Sequence, residues 1–176
     1  MRKRSDAGFT LIELVVVIVI LGVIAALAIP SLLRARISAN EAACVADVRT
    51  VISAQAAYRT ANGGHYDVIT CLSGPSACIP SYPANAPTFL DPQITALRPK
   101  SGYSRSFTPG LAPGTLEPIA SPSSIESYVY VGRPETQNRT GIRGFAGGDE
   151  GAICMSGDGS DPSGGAPDLP PGCTRL

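Results

Sequence analysis

A single acid interrupts a long apolar run. Residues 9–29 read FTLIELVVVIVILGVIAALAI, with Thr10 and Glu13 the only clearly polar side chains. A carboxylate at membrane depth costs several kcal/mol unless a cation meets it, so Glu13 is a functional residue in want of a partner. The small residue Gly8 lies ahead of the run. An ordinary secretory signal has a shorter apolar core and is cut at small residues behind it. A cut beside Gly8 would leave the whole hydrophobic helix on the mature protein.

Other reactive side chains are few. His65 is the only histidine, in a turn with Asp67 as its one nearby acid, too little for a nucleophile and its base. Gly147-Gly148-Asp149-Glu150-Gly151 lacks the lysine and the helix of a phosphate loop. No catalytic residue and no cofactor are expected. Formal net charge is zero, and a chain with no basic excess is a poor general nucleic-acid binder.

Cys44, Cys71, Cys78, Cys154 and Cys173 are odd in number, so at least one thiol is free or pairs between chains. An anchored, exported chain lies in an oxidising compartment. The expected bridges are Cys71–Cys78 and Cys154–Cys173, each closing a short loop of Gly, Pro and Ser, worth about 2–3 kcal/mol apiece. Cys44 is left as the free thiol. No C-x-x-C and no second histidine support a metal–thiolate site. Asp158, Ser160 and Asp161 offer closely spaced oxygens of the kind calcium takes, but EF-hand spacing is absent and turn chemistry alone explains the Asp-Gly repeats, so no metal site is expected. Asn138-Arg139-Thr140 is a formal glycosylation sequon of a kind common by chance.

Few elements can position these residues. The apolar run makes a helix roughly 30 Å long, about one bilayer core. Arg2, Lys3 and Arg4 against Asp6 make the leader positive, which keeps it cytoplasmic and sends the rest across the membrane. Pro30 predicts a kink. Beyond it, Ile37, Cys44, Val48 and Val51 share one helical face, with Val45 and Ile52 at its edge. Glu41 lies near that apolar edge and the pattern does not explain it. Asn62-Gly63-Gly64 stops the helix, so one helix is expected over 9–61, roughly 80 Å long. Cys44 on its stripe reads as a small buried hydrophobe.

Residues 62–99 form an irregular Pro- and Ser-rich loop, with a short helix possible within 89–97. From 100 onward the alternation is that of strands, over 102–107, 127–131, 141–146 and 152–155. A Pro/Gly/Ser connector fills 111–124. The tail after 156 lacks apolar periodicity and is tied by Cys173. Three or four antiparallel strands packed on the helix stripe bury both apolar faces, an α+β fold.

Gly8-Phe9-Thr10-Leu11-Ile12-Glu13, behind a short basic leader, resembles the prepilin signature of type IV pilins and pseudopilins. The resemblance covers roughly the first third of the chain. It implies that a membrane aspartyl peptidase removes residues 1–8, cutting between Gly8 and Phe9, and methylates the Phe9 amine. Glu13 matches the glutamate that pairs with the N-terminal amine of a neighbouring subunit. The physics agrees, because the new amine supplies a cation at the right depth. Gly22 and Pro30 match helix-weakening positions. The implied fold is that of type IV pilins, with 62–99 as the variable loop and 100–176 as the sheet and C-terminal disulfide loop.

The implied function is a structural subunit, as major pilin, of a type IV pilus used in adhesion, motility or DNA uptake. The sizeable loops and the C-terminal cysteine loop favour it. The alternative is a pseudopilin of a type II secretion system, whose major members bind calcium near the C-terminus in a segment of somewhat similar composition. A membrane-anchored binding module that never polymerises leaves Glu13 without a purpose. Implied partners are identical subunits, the prepilin peptidase/methyltransferase, the assembly machinery with its ATPase, and the inner membrane before export into an extracellular filament.

Mass spectrometry of the purified protein is expected to find a chain beginning at N-methylated Phe9. Gly8→Val blocks processing on this reading, and a wild-type chain still beginning at Met1 contradicts it.

Overall fold

The computed structural model describes residues 9–171 and 173–176; Gly8 and the leader residues Arg2, Lys3, Arg4 and Asp6 lie outside them. Helix α1 spans Leu11–Ala61 and runs unbroken through Gly22 and Pro30. It starts at Leu11 rather than Phe9 because Thr10 caps it. The Thr10 hydroxyl accepts from the Glu13 backbone N–H at 3.3 Å, and the Glu13 carboxylate accepts from the Thr10 N–H at 2.9 Å. This reciprocal arrangement is a capping box. The chain divides between Arg36 and Ile37 into two compact units.

In the first unit every side chain from Phe9 to Arg36 is exposed. Leu11, Leu14, Ile18, Leu21, Ile24 and Leu27 are each more than half open. A contiguous apolar surface of this size is far beyond what a soluble monomer leaves bare.

The second unit holds a five-stranded antiparallel sheet in the order β2 (Tyr103–Pro109), β4 (Tyr128–Pro134), β5 (Gly144–Gly148), β6 (Ile153–Ser156), β7 (Thr174–Arg175). β1 (Tyr66–Asp67) and β3 (Ser124–Ile125) form a separate pair. The alternation of β4 divides two cores. Tyr128 and Tyr130 pack with Cys44, Val48, Val51 and Tyr58 of α1, while Val129 and Val131 pack with Ala146, Cys154 and Leu169. The helix therefore covers one sheet face and the Cys-bridged tail the other. Close approach depends on missing side chains: a Cβ on Gly132 would collide with Cys44 Sγ, and one on Gly147 with Val48 and Ile52.

Several elements depart from the sequence reading. The connector 111–124 ends in β3 and the tail ends in β7, both two residues long and too short to show a period. The 62–99 loop holds an unexpected helix α2 (Ile69–Ser73), while α3 (Pro92–Thr95) falls within the 89–97 stretch where a short helix was expected. Asp91 caps α3, accepting from Gln93 N–H at 2.7 Å.

Glu41 finds its explanation here. It is buried, and its carboxylate accepts from Ile142 N–H at 3.0 Å, Arg143 N–H at 3.1 Å, and Arg143 Nε at 2.9 Å, with Arg143 Nη2 as a further donor. It pins the segment before β5 to α1. Burial opposes the charged form, but the Arg143 side chain and the two backbone donors outweigh it and hold the carboxyl below its usual 4.5. A depressed carboxyl stabilises the fold above its unfolded pKa, and that contribution is lost as pH falls through the folded value. Glu41→Gln is expected to cost about 1–3 kcal/mol at neutral pH and to flatten the acid-side loss of stability. Thermal melts from neutral pH to below 4 check both; unchanged melts contradict the assignment.

Candidate functional site

The candidate site is the exposed N-terminal segment of α1, built around Glu13. Glu13 Oε2 accepts from Thr10 N–H at 2.9 Å and from Thr10 Oγ1 at 2.7 Å. Oε1 carries no hydrogen bond among the described residues. The ion pairs among those residues are Asp47 with Lys100 and Arg105, Glu41 with Arg143, and Glu150 with Arg175; Glu13 belongs to none. Phe9, Ile12, Val16 and Val17 line one shallow hollow with it. Glu13 is thus an acid with one oxygen free of hydrogen bonds among the described residues, beside an apolar hollow. The positive end of the helix dipole holds it. Space around Gly22 is open, and Pro30 lies within the helix.

The remaining candidates occupy the second unit. Cys71 is bonded to Cys78 with Cα atoms 5.8 Å apart, and Cys154 to Cys173 with Cα atoms 5.5 Å apart. Cys44 is free and buried. Burial, with the nearby charges of Asp47 and Glu41, pushes its thiol up to about 12 against the opposing pull of Arg105. Asp158 Oδ1 accepts from the N–H and hydroxyl of Ser160 at 3.0 and 2.6 Å. Asp161 does the same for Ser163 at 2.8 and 2.6 Å. These are two consecutive side-chain turns, so the carboxylates considered for calcium shape the loop. His65 closes the helix-end turn, its carbonyl accepting from Asn62 Nδ2 at 3.1 Å.

Two functional pairings escaped the sequence reading. The Thr10–Glu13 capping box was legible as T-x-x-E before an apolar run. The Glu41–Arg143 pair, 102 positions apart, carried no local signal.

Residues 3–29 match the prokaryotic N-terminal methylation motif. The chain is 40% identical over 62 residues to the type II secretion system core protein G of Aeromonas hydrophila, covering 35% of this chain and 43% of that protein. The corresponding protein of Pseudomonas aeruginosa is 37% identical over 62 residues, covering 35% and 44%. The type IV wide pilus major component of Thermus thermophilus is 40% identical over 62 residues, covering 35% and 47%. Over roughly its first third the chain is similar to type IV pilins and pseudopilins. The match spans less than half the length of each of these relatives. No solved structure matches the chain. The fold is the α+β fold of type IV pilins, a long N-terminal helix with an antiparallel sheet and bridged loops. Its N-terminal helix is long and apolar enough to cross a membrane.

Within this pilin-family fold, Cys44 is expected to resist alkylation by iodoacetamide at pH 8 until denaturant is added, since the thiolate is the reactive form. Intact-mass measurement reads it, and rapid labelling of the native chain contradicts the burial.

Proposed function

We propose that this chain is the major subunit of a type IV pilus, polymerising through α1 into an extracellular filament. The observation that carries the reading is the uncovered apolar first part of α1, residues 11–33, whose one acid has an unused oxygen and no cation among the described residues. The precursor waits in the inner membrane, anchored by residues 9–29. A prepilin peptidase/methyltransferase cuts after Gly8 and methylates the Phe9 amine. That amine meets Glu13 of an adjacent subunit.

Magnitudes divide the labour. A fully buried Leu, Ile or Val side chain contributes about 1.5–3 kcal/mol, so helix packing supplies the cohesion. A buried ion pair adds little net stability, yet removing one partner costs about 3–5 kcal/mol. Glu13 therefore sets register: a subunit docked out of step leaves its acid stranded. Gly22 and Pro30 let α1 loosen once packed. The 62–99 loop and the Cys154–Cys173 loop give the filament its surface for adhesion, motility or DNA uptake. Residues 1–8 carry three basic side chains and one acid, so their removal leaves mature side chains at about −2. The assembly machinery supplies the work.

A second reading has specific support. The resemblance to type II secretion core protein G fits a pseudopilin of a short periplasmic filament equally well. Electron microscopy of filaments sheared from cells, with mass spectrometry of the subunit, separates the two: this chain in long surface filaments supports the pilus, and its absence from them favours the pseudopilus. In either case Glu13→Ala leaves the subunit in the membrane and impairs assembly or methylation. Normal filaments from that variant contradict the role given to Glu13.

A further inference from the structure

A second acid without a cation lies in the other unit. Asp67 is fully buried and belongs to none of the ion pairs among the described residues. Tyr58 Oη donates to its Oδ2 at 2.7 Å; Ser123 Oγ and the Val68 N–H donate to its Oδ1, each at 2.7 Å. Burial first, and then the contact with Asp67, raises the Tyr58 hydroxyl far above the usual phenol range, so it stays a donor. Ser123 Oγ also lies 3.4 Å from Cys71 Sγ. The Asp67 carboxylate and the sulfurs of Cys71 and Cys78 are all within 4.8 Å of one another. Of the two sulfur-bearing residues, Cys71 is 3% exposed, while Cys78 is half-buried and within reach of reagents. The titratable groups facing Asp67 are Tyr58 from α1 and these two cysteines. The 121–124 segment presents serine hydroxyls.

We infer that Ser123 and Asp67 form a proton relay for closing the Cys71–Cys78 bridge, with an external disulfide as the oxidant. The Cys78 thiolate attacks that disulfide, forming a mixed disulfide and releasing one thiolate. The Cys71 proton passes to Ser123 Oγ as the Ser123 proton passes to Asp67 Oδ1. The Cys71 thiolate then attacks Cys78 Sγ, the new S–S bond forms, and the second external thiolate leaves with the electron pair. The dithiol is oxidised, the external disulfide becomes two thiolates that take protons from water, and Asp67 holds the Cys71 proton until solvent removes it. Only a thiolate attacks, so an internal base matters most for the buried sulfur, which water cannot deprotonate. A purely structural Asp67 would need Ser123 but would not need Ser123 against Cys71.

The test uses the full chain in detergent micelles, reduced with dithiothreitol and reoxidised with oxidised glutathione. Alkylation and peptide mass spectrometry follow the two bridges separately. Ser123→Ala is expected to slow Cys71–Cys78 closure about tenfold at pH 7, with Ser123→Thr restoring it and Cys154–Cys173 closure unchanged. In Asp67→Asn the closure rate should climb about tenfold per pH unit, as for an unaided thiol, against a shallower wild-type profile. Wild-type rates in Ser123→Ala, equal slowing of both bridges, or failure of threonine to rescue would each overturn the relay.

Discussion

Water cannot be left on the first part of α1. Every apolar side chain between Leu11 and Leu33 is open. On the proposed function, the segment passes from one water-free environment to another, lipid and then a bundle of its own kind. Glu13 turns that general constraint into a specific one. In lipid or in a bundle its charge needs a partner, and the hydrogen bonds from Thr10 satisfy only one of its oxygens. Hydrophobic burial is non-directional. On the proposed function, the acid gives the association a direction and a step.

The second unit solves its own problem of buried charge, three times and in three ways. Glu41 meets Arg143 and two backbone donors. Asp47 meets Lys100 at 2.7 Å and Arg105 at 3.5 Å. Asp67 meets only neutral donors. Each acid, from α1 or just after it, fastens that region to a distant piece of chain. Disulfides secure the two loops that regular structure does not. A loop-rich domain is thereby held in one shape.

Legibility in the sequence followed range. The apolar run, the stripe of Cys44, Val48 and Val51, and the strong strand around Tyr128–Val131 were readable because their signals repeat at a local period. The odd cysteine count and the Gly/Pro/Ser composition of two loops pointed to a bridge in each. What could not be read were partnerships across the chain. Glu41 looked anomalous because its partner Arg143 is remote. Asp67 drew notice only as the acid near His65, because Tyr58, Ser123 and Cys71 converge on it only after folding. β3 and β7 are two-residue strands that exist because a neighbour offers an edge, not because their residues demand it.

The central claim is that Glu13 trades a bond within its own chain for the amine of another. A reconstruction of the assembled filament by electron cryomicroscopy at side-chain detail tests this directly. The account predicts the Phe9 amine of one subunit within about 4 Å of the Glu13 carboxylate of an adjacent one. Glu13 still bonded only to its own Thr10, with every Phe9 amine elsewhere, contradicts it.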